Sequence, residues 1–266
     1  TWSYNSNLDF VERQHTFNET YDDYGNLTYQ TTNLYDAESG GSLIEHKTIE
    51  SIYEGTVVAV DVTVMNRPEE TGTTYTFDKY SLQGKEYALY IDGNLLEEGV
   101  DYTLNKTTGE IVLSASNKPG EILEVRVLDG EIDGQIAARR GNSLQTIINR
   151  YTNFEEIDNN LIDRVVMSTD VMDRLGNVVK QTMETYVKDD RDNVIKLASQ
   201  RISENFAIDN RGNAASQHIT TFTTDDNGAF ILGGGGERIV SSYQEMKSRD
   251  YDADNNVKNQ RILSYF

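Results

Sequence analysis

The chain has 266 residues, enough for one large domain or two to three small ones, and only 37% of them are hydrophobic. Its 24 Lys and Arg stand against 44 Asp and Glu, a net charge of −20; a field of that sign repels phosphate backbones and anionic headgroups, so nucleic acid and membrane surfaces are poor partners. There is no Cys, which removes disulfides, thiolate metal sites and a cysteine nucleophile, and no apolar run approaches the ~18–20 residues of a membrane span.

The mean hydropathy of −0.59 and the excess of Tyr over Phe, 16 to 8, fit half-wet strands better than an oily interior. Thr at the first position reads as a mature form or an excised segment.

Residues 1–55 read as a β-hairpin repeat segment. Thr1–Tyr4 and Phe10–Thr20 are aromatic and Thr-rich, and Tyr21-Asp-Asp-Tyr-Gly-Asn-Leu27 is a turn phrase leading into Leu27–Tyr35. In such a phrase the first Asp caps backbone N–H groups two residues on, and Gly at the fourth place supplies positive φ. A longer turn, Asp36–Gly41, opens Leu43–Tyr53. Both faces of these strands carry polar groups, so each buries modest area and needs neighbours.

Residues 56–128 change character. Val58, Val60, Val62 and Val64 fall on one side with Asp61 and Thr63 on the other, Tyr87–Ile91 is an apolar run closed by Asp92-Gly93-Asn94, and Leu123, Val125 and Val127 alternate with Glu124 and Arg126. Both prolines, Pro68 and Pro119, fall between runs. The period-2 pattern predicts a small β-sandwich of about seven strands. The stretch LYIDGNLLEEGVDYTLNKTTGEIVLSASNKPGEILEVRVL, Leu89–Leu128, resembles the Ig-like β-sandwich modules of phage tail fibres and large bacterial surface proteins. That resemblance implies a spacer or binding platform rather than catalysis.

Residues 129–142, rich in Gly and charge, read as a linker. In 143–171, Leu144, Ile147, Ile148 and Tyr151 sit at helical spacing after Ser143, while the β-branched content favours strand. Strand is the expectation and helix the alternative.

Within 143–266 the turn phrase recurs. Its aspartates fall at Asp173, Asp190, Asp209, Asp225 and Asp252, with Gly176, Gly212 and Gly228 at the fourth place and Asn193 and Asn255 substituting there. The gaps of 17, 19, 16 and 27 residues show no solenoid period and predict a meander of long antiparallel hairpins. Gly233–Gly236 in the last gap reads as a loop tip. The phrase resembles the YD repeats of Rhs-type and teneurin-type proteins over residues 20–55 and 170–260, which implies β-hairpin geometry and an extracellular or cell-surface setting. The expected fold class is thus all-β: long antiparallel hairpins with an inserted Ig-like sandwich.

No catalytic constellation is visible. His15, His46 and His218 lie in polar strand-like stretches without metal-ligand spacing, and read as strand-surface residues. Asp250, Asp252 and Asp254 alternate like the start of a calcium loop but lack its Gly and its closing Glu, so calcium is the one cofactor they raise and a plain turn is favoured. Trp2, Tyr4, Phe10, Tyr265 and Phe266 make both ends aromatic and strand-like, unlike blunted natural edges. The expectation is a non-catalytic segment of an extracellular filament or giant surface protein that assembles with copies of itself by strand addition. The alternative is an adhesin or fibre module binding a glycan or protein through the sandwich loops.

Overall fold

The structure is a computed structural model describing residues 1–4, 10–36, 41–66, 70–78, 82, 84–189 and 191–266. It is all-β. Eleven strands form one antiparallel run. The first four are β1 (Trp2–Tyr4), β2 (Phe10–Tyr21), β3 (Leu27–Tyr35) and β4 (Leu43–Ile52). An insertion then leaves the run, and β12 (Gln145–Tyr151) returns beside β4. The meander continues through β13 (Leu161–Asp173), β14 (Val178–Lys188), β15 (Ile195–Ile208), β16 (Ala214–Thr223), β17 (Val240–Tyr251) and β18 (Val257–Tyr265). Strand is thus what Ser143–Tyr151 forms over most of its length; the β-branched run Thr146, Ile147 and Ile148 pairs on both sides and overrides the helical spacing.

Both faces of β14 and β15 are half-exposed nearly end to end. Little apolar area is buried there, and cross-strand polar pairs tie the faces instead. Arg150 Nε donates to Asp163 Oδ1 at 2.8 Å, Arg164 Nε to Asn149 Oδ1 at 2.7 Å, and Gln200 Nε2 to Glu184 Oε1 at 2.9 Å. The accessible surface is 14844 Å² for 30.1 kDa, against about 11,700 Å² for a compact protein of that mass. The excess is the signature of a sheet one layer thick over much of its extent.

The insertion supplies the main hydrophobic cluster. Strands β5 (Thr56–Val64), β7 (Tyr87–Ile91), β8 (Asn94–Leu95) and β11 (Leu123–Asp133) make one sheet, and β6 (Thr74–Thr76), β10 (Glu110–Leu113) and β9 (Tyr102–Asn105) the other. Between them lie Leu89, Tyr102, Ile111, Leu123, Val125 and Val127. The first of these sheets joins the main one, because β5 runs parallel to the end of β13, Val58 beside Val171 and Val60 beside Asp173.

Two details depart from the sequence pattern. The stripe Val58, Val60, Val62 and Val64 is not one buried face: Val58 and Val64 are exposed while Val57 and Ala59 are buried. The reason is that Val57 packs with Met172 and Ala137 of α1 (Gly134–Ala138). Residues read as a linker instead hold the last turn of β11 and α1, capped by the Asp133 side chain accepting from Gln135 N. The insertion leaves and rejoins at one point: Gly134 N donates to Gly55 O at 2.8 Å. Gly134 sits so close that a Cβ would lie 2.3 Å from Tyr53 O.

Candidate functional site

The turn phrase folds as a three-residue loop, a type I turn followed by a left-handed residue. At Asp173, Gly176 N donates to Asp173 O at 3.0 Å and Gly176 has φ 81. Asp173 Oδ1 accepts from Leu175 N and Asn177 N, both at 2.9 Å, and Oδ2 accepts from Asn177 Nδ2 at 2.7 Å. The same set recurs at Asp22 with Gly25 and Asn26, at Asp209 with Gly212 and Asn213, and at Asp252 with Asn255 and Asn256. Asp225 with Gly228 keeps the backbone bonds but has Ala229 in fifth place. The Asn that follows Gly is therefore part of the device: its amide returns to the Asp carboxylate. Asp190 lies outside the described residues; in that turn the neighbouring Asp189 accepts from Arg191 N, and Asn193 takes φ 61.

At Asp22, Asp209, Asp225 and Asp252 these bonds depress the carboxylate. At Asp22 and Asp209 burial opposes the shift, yet the bonds from Asn26 and Asn213 hold each below the usual carboxylate range. At Asp225 the backbone N–H groups of Ala229 and Asn227 do the same, and at Asp252 the Asn256 amide does.

Four of the turns form one continuous rim. Asn26 Nδ2 donates to Ala138 O at 2.7 Å, Asn142 Nδ2 to Gly176 O at 2.8 Å, and Arg140 to Asn177 Oδ1 at 2.9 Å and Asn210 O at 3.1 Å. Arg211 then reaches Asp252 O at 3.0 Å, and Asn213 Nδ2 reaches Asn255 Oδ1 at 3.0 Å. The hairpins are thus locked level along one end of the sheet.

The insertion is clamped onto the sheet by the polar side of β11. Glu124 and Arg126 are buried together, Nε to Oε1 at 2.6 Å. Arg126 also donates to Asn205 O at 2.7 Å and lies over Phe206 and Tyr90, 4.2 and 4.8 Å from their ring centres. Glu124 Oε2 accepts from Ala207 N at 2.6 Å, where Ala207 holds a positive φ of 50. Gly93, at the tip between β7 and β8, touches the sheet so closely that a Cβ would lie 2.4 Å from His218 Cε1. His218 is accordingly buried rather than on the surface, with the Tyr243 hydroxyl 2.9 Å from Nδ1, and burial pushes its pKa down. An aromatic row runs from Tyr90 through Phe206, His218 and Tyr243 to Tyr265 on β18.

His46 is also buried, between Asn33 Oδ1 at 2.6 Å and Glu156 Oε1 at 3.1 Å. Glu156 approaches the Tyr29 hydroxyl as well, and with burial this raises that phenol to about 12. Among the described residues no nucleophile bonds His46. His15 alone is exposed, against Phe17 and Tyr35.

Among the described residues no group of three His, Cys, Asp or Glu could hold a metal ion. Asp250, Asp252 and Asp254 are not gathered: Asp252 is occupied by its own turn, and Asp250 Oδ1 accepts from Tyr251 N. No helix among the described residues is long and apolar enough to cross a membrane.

The two outer edges of the eleven-strand run belong to opposite ends of the chain. At one, β1 places Trp2 and Tyr4 by backbone against β2, which begins at Phe10; the side chains of all three lie outside the described residues. β1 covers only Phe10–Arg13 by register, with Thr1 bonding Gln14. At the other edge β18 pairs with β17 alone, Ile262 and Tyr265 are about half exposed and Phe266 is fully exposed.

No protein-family model matches the chain, and no curated protein matches its sequence.

Proposed function

We propose that this chain is a structural, non-catalytic segment of an extracellular filament or giant surface protein, extended by β-strand addition at its edges. One observation carries the reading: a sheet largely one layer thick ends in two level edges, β2 and β18, each with backbone groups that no strand among the described residues pairs. Such edges are templates for another strand, and the locked rim keeps them straight enough to receive one. The YD-repeat-like turns and the Ig-like insertion fit an extracellular setting. Electron microscopy and sedimentation of the purified chain test it, beside a variant lacking residues 257–266. Elongated assemblies from the full chain and single particles from the truncation support the proposal; identical behaviour of the two refutes it.

A second reading rests on the cleft of about 310 Å³ between insertion and sheet, lined by Tyr87, Tyr90, Arg126, Lys180 and Glu204. Aromatic rings beside both signs of charge suit a saccharide, which makes an adhesin or fibre module the competing function. Titration calorimetry with neutral and acidic oligosaccharides distinguishes it.

A further inference from the structure

We infer that the partner of the β18 edge is the β2 edge of a second copy of this chain, paired antiparallel with Asn259–Tyr265 opposite His15–Tyr21. This rests on the strand-addition reading above and names its partner and geometry.

Strand sense is the first ground. Every neighbouring pair in the eleven-strand run is antiparallel. Alternation over that number gives β18 the sense of β1 and the opposite sense to β2. A copy displaced along the sheet without turning over thus presents β2 antiparallel to β18. The short β1 takes only the far end of that β2 edge and leaves His15–Tyr21 open. The same sharing of one strand's edge already occurs inside the chain, where β12 and β5 divide the edge of β13.

Charge is the second ground. In a chain of net charge −20, residues 257–266 carry Lys258 and Arg261 and no Asp or Glu. The facing residues 15–23 carry Glu19, Asp22 and Asp23 and no Lys or Arg. Pairing β18 with β18, or β2 with β2, would set like charges across the new seam, and pairing β18 with β2 sets opposite ones. The third ground is the aromatic row. Residue pairing followed across the sheet puts Tyr243 and Tyr265 on the same face as His15 and Phe17. Addition would carry the row from one copy into the next.

The register follows from the space β1 leaves. Thr1 pairs with Gln14 on that edge, so β18, which ends at Tyr265, reaches no further than His15 without displacing it, and Tyr265 is set opposite His15. Leu263 then faces Phe17, which is half exposed, and Arg261 faces Glu19. A heterologous contact of this kind does not close and produces an open-ended polymer.

The absence of native Cys gives a direct test. Full-length Phe17→Cys and Leu263→Cys proteins are mixed in equal amounts, oxidised mildly and separated without reductant. Directly paired residues have Cα atoms ~4.5–5.5 Å apart, within disulfide reach. The proposal predicts the mixed 17–263 disulfide at least ~10-fold over either like pair, as expected if cross-linking needs the paired geometry. His15→Cys with Tyr265→Cys should behave alike, which covers any loss caused by removing Leu263. Like–like disulfides equal to the mixed one overturn the heterologous pairing. Filaments by microscopy without mixed disulfides from either pair overturn this partner geometry and leave strand addition standing. Monomers by sedimentation together with no disulfide overturn both.

Discussion

Replacing Asp173 by Ala removes the acceptor on which one buried turn depends. Asp173 is 8% and Asn177 3% exposed, so water cannot replace the carboxylate for Leu175 N, Asn177 N and Asn177 Nδ2. Hydrogen bonds to a charged acceptor contribute about 1.5–3 kcal/mol each, and a stranded buried donor costs about 1–3 kcal/mol. Non-additivity among three bonds to one group brings the expected loss to ~3 kcal/mol. For a chain of this size that lowers the thermal midpoint by about 6–12 °C. The control is Asp225→Ala, whose turn is exposed and lacks the returning Asn; its shift should be far smaller. Urea and thermal unfolding of the three proteins decide the matter. Equal shifts for the two variants, or a loss under ~1 kcal/mol for Asp173→Ala, would show that backbone geometry alone makes these turns and that the carboxylate is incidental.

Arg126→Met should cost ~3–5 kcal/mol by leaving Glu124 buried without its cation, and adding Glu124→Gln should recover at least half, since Gln keeps an acceptor for Ala207 N; chemical denaturation reads both. Stability should fall with pH in two steps. The unfolded chain protonates His218 below about 6.5 while burial keeps the folded form neutral against the opposing pull of Glu245 and Glu204, so the upper step is lost as pH drops through that range. Asp22, Asp209, Asp225 and Asp252 contribute stability above their ordinary 3.8 and lose it as pH falls through their lower folded values. Urea midpoints of the parent and His218→Phe between pH 3 and 8 test this: only the upper step should flatten in the variant. Gly93→Ala would force a Cβ to 2.7 Å from the Phe206 ring; amide exchange at Ala207 should rise while the sandwich strands stay protected.

Local chemistry was readable from the residues and long-range docking was not. Asp22 to Gly25 and its relatives announce themselves because every partner lies within five residues. The Asn at the fifth place stayed silent, since Asn-rich strands give no reason to single out its amide. In the turn closed by Asn193 the pattern pointed to Asp190, whereas its neighbour Asp189 accepts from Arg191 N. The stripe from Val58 to Val64 misled because α1, itself hidden in a Gly- and charge-rich stretch, buries the opposite side of β5 at Val57. Glu124 and Arg126 look like the solvent side of an amphipathic strand, and only the packing of β11 onto β15, some 80 residues later, turns them inward. His218 is buried for the same reason, by a hairpin tip that no local pattern connects to it.

The most direct test of an edge-extended sheet is the axial repeat of the assembled protein, from fibre diffraction or electron cryomicroscopy. Strands stacked about 4.8 Å apart along the axis, with each chain adding the ten strand positions from β2 to β18 because β1 and the incoming β18 share the edge of β2, predict a repeat of about 50 Å. Discrete particles of one chain at every concentration, or filaments whose strands run along the axis, would contradict the account.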